Sequence, residues 1–119
     1  MAEGFEVLKW MEQLEAAIYS PELLRLKGEL SRLLGTQVGA EAAKDHFQQA
    51  LDEARRQGTL AWELRAAMSL ARLLRDQGRP NDGSACLQPI YDRFTEGFAT
   101  ADLTAAKRLL DDLGTAGRR

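Results

Sequence analysis

The chain has 119 residues, enough for a single domain whose core needs no covalent staples. Leu (19) and Ala (18) dominate while Val and Ile contribute 2 each, so helix formers abound and strand-packing residues are scarce. One cysteine, a net charge of −2 and no apolar run near ~20 residues exclude a disulfide framework, general nucleic-acid affinity and a membrane span.

Six helices are predicted. The first, Phe5 to Tyr19, places Val7, Leu8, Met11, Leu14, Ala17 and Ile18 at three- and four-residue spacings. Ser20-Pro21-Glu22 opens the second as N-cap, first helical position and acidic first turn. That helix carries Leu23, Leu26, Leu30 and Leu33/Leu34 on one stripe and stops at Gly35. The third, Ala40 to Gln57, carries Ala43, Phe47, Ala50, Leu51 and Ala54 and stops at Gly58. Thr59 is placed to cap the fourth, which buries Leu60, Leu64, Ala67, Leu70, Ala71 and Leu74 and ends near Gly78. Pro80 opens the fifth, with Ala85, Leu87, Ile90, Tyr91 and Phe94 as apolar residues and Pro89 as an internal kink. Phe94 to Ala99 connects to a last helix, capped by Thr100 and running to Leu113 on Leu103, Ala106, Leu109, Leu110 and Leu113. Gly114 to Arg119 is expected to fray.

Internal repetition organises these helices. Gly28 and Gly35 recur as Ala71 and Gly78, 43 residues later in both cases. Each copy is followed by a second helix with a small residue and bulkier ones behind it: Ala43, Phe47, Ala50, then Gly83, Leu87, Ile90. A small residue in the first helix admits its antiparallel partner closely, and the glycine makes the turn. The pattern resembles the tetratricopeptide repeat, whose usual period is about 34 residues. Here the repeats are longer, and Lys27 and Ser31 stand where that family prefers large apolar residues. The expected architecture is all-α: an N-terminal helix over 1–19, repeats over 20–58 and 59–98, and a capping helix over 99–113.

Three strings carry a closer resemblance: PELLRLKGEL, HFQQALDEARRQGTLAWELRAAMSLARLLRDQGR and PIYDRFTEGFATADLTAAKRLLDDL. They resemble the C-terminal tetratricopeptide-like region of bacterial multidomain regulators that carry a nucleotide cyclase domain and a signal-transduction ATPase domain. The likeness covers Pro21 to Leu113. It implies a regulatory or protein-interaction role and brings no catalytic site, since the cyclase and ATPase motifs of such regulators lie in other domains. No GxxxxGK[ST] phosphate loop occurs in this chain. The N-terminus lacks the basic start and apolar core of a signal peptide, so a cytoplasmic location is expected.

The residues themselves point the same way. His46 beside Asp45 cannot form a base–carboxylate pair, because adjacent helical residues point about 100° apart. Cys86 has no CxxC partner and reads as a small buried hydrophobe. With one histidine and one cysteine a conventional zinc site is not expected, and Ser69 lacks both a nucleophile elbow and a base. Asp52-Glu53 and Asp111-Asp112 fall on solvent faces. No cofactor and no enzymatic activity are expected. Trp62 suits either the packing between the third and fourth helices, the preferred reading, or an interface anchor, and Trp10 could cover the N-terminal end of the array. If that end is uncovered, its apolar patch suits a homodimer.

Charge separates the helices. Residues 20–35 and 59–79 carry net +1 and +2, whereas residues 1–19, 36–58 and 80–98 carry −3, −1 and −2. In tetratricopeptide-like arrays the first helices line the concave surface, and repeat positions there fall on Arg25, Arg32, Arg65, Met68, Arg72 and Arg75. Their guanidinium forks suit an acidic peptide segment. The competing expectation is that these arginines pair with Glu29, Asp76 and the acidic helices beside them. Arg55 and Arg56, at the end of a second helix, should contribute little. The two other roles left open are an anionic-metabolite sensor and an oligomerisation module.

Overall fold

In a computed structural model, which describes residues 2–18 and 20–117, the punctuation of the sequence sets the course of the chain. The helices are α1 (Ala2–Ile18), α2 (Pro21–Leu33), α3 (Gln37–Gln57), α4 (Leu60–Asp76), α5 (Pro80–Tyr91) and α6 (Ala101–Gly117). No strand occurs among the described residues. Ser20 is extended, and its hydroxyl accepts the Leu23 N–H at 3.2 Å, filling one of the orphan donors of α2. Gly35, Gly58 and Gly78 follow α2, α3 and α4 with φ of 65°, 70° and 77°, the left-handed turn that glycine makes at least cost.

Several boundaries differ from the expectation. α3 starts three residues early, because Thr36 accepts the Gly39 N–H at 2.9 Å. Gly39 looks like a helix breaker in sequence, but a Cβ there would come within 2.5 Å of the Ser31 carbonyl oxygen. Close approach of α3 to α2 requires the glycine. The Thr59 hydroxyl donates to the Ala54 carbonyl at 3.3 Å instead of capping α4. α6 does not fray at Gly114: it continues to Gly117, which abuts Asn81 at the start of α5. Arg118 and Arg119 lie outside the described residues. Pro89 sits inside α5 and withdraws the donor for the Ala85 carbonyl, and Ala85 is exposed rather than core-facing.

α2 and α3 pack as one hairpin, α4 and α5 as a second beside it, and α6 closes on α4 and α5. α4 touches α2, α3, α5 and α6, which explains why most of its circumference is apolar: Leu64, Ala66, Ala67, Met68, Leu70, Ala71, Leu73 and Leu74 are all buried, and the face with Arg65, Arg72 and Arg75 is polar. The repeat's small positions sit at the closest approaches. A Cβ on Gly28 would lie 2.6 Å from Cδ1 of the fully buried Phe47, and one on Gly83 would lie 3.0 Å from the Ala71 carbonyl oxygen.

Two expected core stripes face solvent instead. Among the described residues α1 touches only α2, and its Val7, Leu8, Met11 and Leu14 are exposed; the side chains of Ala17, Ile18 and Tyr19 lie outside the described set. In α2 the inward residues are Pro21, Leu24 and Gly28, whereas Leu26, Leu30, Leu33 and Leu34 are exposed. Helical period finds a stripe but not whether an element covers it. The array therefore ends at an open face, and the molecule measures 65 × 38 × 19 Å.

Candidate functional site

Alternate helices line a cleft of about 230 Å³, with Arg25 from α2, Arg65, Met68 and Arg72 from α4, and Asp102 and Ala105 from α6. Arg65 and Arg72 are seven residues apart, two turns of one helix, so they share a face. Met68 lies between them, only 5% exposed, and forms an apolar floor that also belongs to the core.

Most of the basic row is already engaged. Arg25 donates to Glu22 through Nε at 2.9 Å and Nη2 at 2.6 Å, and through Nη1 to the hydroxyl of buried Ser69 at 3.3 Å. The two-pronged bond to Glu22 holds the Arg25 pKa above its ordinary value. Arg65 bridges the elements, with Nε 3.0 Å from Asp102 in α6 and Nη1 3.9 Å from Glu22 in α2. Its guanidinium carbon also lies 5.0 Å from the ring centroid of Trp62. Arg32 and Arg75 both pair with Asp76 at the far end of the row, and Arg32 reaches Glu29 at 3.7 Å.

Arg72 differs from the rest. It is half-buried in the cleft and makes no ion pair or hydrogen bond among the described residues. Burial pulls its pKa below the ordinary arginine value; Glu29 opposes that shift, while Arg75, Arg32 and Arg25 reinforce it. A guanidinium placed so is short of negative charge. An anion entering the cleft would meet a donor fork that no protein group occupies.

The six residues expected on the concave face thus divide into a cleft set (Arg25, Arg65, Met68, Arg72) and a pair bound to Asp76 (Arg32, Arg75). Trp62 is half-exposed and carries Arg65 on its ring, outside the buried cluster of the core, so the preference for it as core packing is not met. Trp10 is 63% exposed on α1 and covers nothing at the end of the array.

The remaining candidates have structural surroundings. His46 is half-buried, and its buried Nδ1 has no hydrogen-bond partner. Cys86 packs beside the core, and burial pushes its thiol pKa up, which suppresses the thiolate. Asp52, Asp111 and Asp112 are exposed and Glu53 is half-exposed. No group of three or more His, Cys, Asp or Glu side chains is placed to hold a metal among the described residues. No described helix is long and apolar enough to cross a membrane.

Sequence reading missed Glu63, which is 3% exposed and receives Nε of Arg55 at 3.1 Å and Nη1 of Arg93 at 3.0 Å. This clamp ties α3, α4 and the end of α5. Arg55, expected to add little to partner binding, has this structural role instead. A buried charge in the first turn of α4 is invisible to periodicity, because its partners come from residues 8 and 30 positions away.

No protein family, no curated protein and no solved structure matches the chain.

Proposed function

We propose that this chain is a non-catalytic interaction and regulatory module that takes a carboxylate of an acidic protein segment at Arg72. The observation that carries the reading is the half-buried Arg72, unpaired among the described residues, in a cleft where every other arginine has a carboxylate. Arg65 and Arg25, fixed by their own pairs, flank the incoming anion, and Met68 and Ala105 receive the aliphatic part of a Glu or Asp side chain. The resemblance to the C-terminal region of bacterial signalling regulators supports a cytoplasmic setting and a partner within the same signalling pathway. It also favours a role without chemistry of its own.

A metabolite sensor would need an enclosed pocket of roughly 300–1,000 Å³ that surrounds its ligand. The cleft is open and about 230 Å³, which suits one side chain of a longer ligand better.

Fluorescence anisotropy of a labelled hexaglutamate peptide tests the reading. Binding should weaken as salt rises, since screening shortens to ~8 Å near physiological ionic strength. Arg72→Gln should weaken it about tenfold, ~1.4 kcal/mol, with an unchanged melting temperature. Equal binding by wild type and Arg72→Gln would remove the site. Tighter binding of free succinate than of the peptide would favour the sensor.

A further inference from the structure

α1 has no partner for its apolar stripe, and α2 has a second such stripe beside it. On α1, Val7, Met11 and Leu14 follow a four-then-three spacing, with Trp10 next to Met11; they are 49%, 60%, 63% and 63% exposed in the order Val7, Met11, Leu14, Trp10. On α2, Leu26, Leu30 and Leu33 repeat that spacing, and their exposure climbs from 44% to 66% to 81% with distance from the α1 junction. α1 diverges from α2 instead of folding back on it. Each stripe spans eight residues, about 10 Å of helix, and has the spacing of a knobs-into-holes seam. Most helices in proteins pack an amphipathic face, and no described side chain of α1 is buried within the chain.

We infer that a second copy of this chain supplies it: in a two-fold dimer, α1 of each copy lies on the leucine stripe of α2 of the other. Both halves of the contact exist on every copy, so one symmetric exchange covers both stripes at once. Charge agrees with this pairing. Residues 2–18 carry Glu3, Glu6, Glu12 and Glu15 against Lys9, with Glu6 and Glu15 flanking the apolar stripe. Lys27 flanks the leucine stripe and makes no ion pair among the described residues. The area is also sufficient. A fully exposed aliphatic side chain offers about 60–120 Å², so the two stripes present roughly 500 Å² per copy and about 1,000 Å² per dimer, the threshold of a specific interface. A patch of roughly 500 Å² is at the upper end of what a typical monomer exposes, and patches of that size often serve a contact. The contact is separate from the Arg72 cleft, which opens on a different side of α2.

Sedimentation equilibrium of the full chain tests it, with an expected mass of twice 13.2 kDa at tens of micromolar. Met11→Glu and Leu30→Lys should each give monomers with unchanged helix content, because both positions are exposed. Mixing the two variants should restore a dimer: one contact then sets the new Glu against the new Lys, and the other is unaltered. Should either variant lose helix content, Leu14→Glu with Leu26→Lys provides the same comparison. A wild-type monomer at about 100 µM would overturn the inference. So would mixed variants that stay monomeric, or a dimer broken by Met11→Glu but not by Leu30→Lys, which would signify α1 against α1.

Discussion

Glu63 shows how one residue can bind three elements while leaving no mark in the pattern of the sequence. Its carboxylate is buried, whereas Arg55 and Arg93 are half-exposed, so the charge that cannot reach water is the one that depends on its partners. Removing either arginine leaves the other in place and should cost about 1 kcal/mol. Removing both strands the carboxylate and should cost about 3–5 kcal/mol, more than the two single losses together. Urea denaturation of Arg55→Ala, Arg93→Ala and the double variant checks this. Adding Glu63→Gln to the double variant should recover part of the loss, since a neutral amide is cheaper to bury than an ion. Additive single losses would mean that water reaches Glu63. Arg65 is subject to the same logic: it holds Asp102 of α6, so its loss weakens the capping helix as well as the cleft.

At the scale of helices, the small residues of the repeat decide how closely each hairpin closes. Alanine is preferred over glycine in a helix by about 1 kcal/mol, which alone would make Gly28→Ala stabilising. The added Cβ, however, would lie 2.6 Å from a ring carbon of Phe47, which is fully buried and has no space to retreat. Overpacking wins, and a net loss of about 1–3 kcal/mol is expected. Ala71→Leu should cost a similar ~1–3 kcal/mol, because Ala71 is fully buried and its backbone lies against Gly83 of α5. Asp111→Leu is the control: the side chain is exposed and its Lys107 partner is 3.8 Å away, so the change should stay within about 0.5 kcal/mol. Denaturation midpoints compare all three. A neutral Gly28→Ala would mean that α2 and α3 slide apart at little cost.

For the whole molecule, stability is unevenly shared between the ends of the array. No described side chain of α1 is buried, so deleting residues 1–19 should leave the melting temperature unchanged at concentrations that keep the intact chain monomeric. α6 is the opposite case, placing Leu103, Ala106, Leu109 and Leu113 in the core. Burying three leucines contributes roughly 5–9 kcal/mol, comparable with the entire stability of a domain. Ending the chain at residue 98 should therefore abolish cooperative melting followed by circular dichroism. A sharp transition in that truncated chain would show that the two hairpins form a sufficient core alone.

Composition and local punctuation determined the all-helical class, the six helices and most of their ends. Ser20, Pro21, Gly35, Gly58 and Gly78 act through backbone dihedrals and caps that depend only on near neighbours. The pairing of small and bulky residues at Gly28 and Phe47 was legible for the same reason, since helical spacing brings repeat positions into register. What periodicity could not decide was which stripe is covered. Leu26, Leu30 and Leu33 look as apolar as Leu70 and Leu74, but the leucines of α4 face neighbouring helices. The cleft was partly legible: the arginines were found, yet their division into paired and unpaired was not. Whether a guanidinium meets a carboxylate depends on ångström-scale distances between residues as far apart as Arg65 and Asp102. Tertiary structure alone sets those distances, and among the described residues it leaves Arg72 as the arginine of the cleft without an acid.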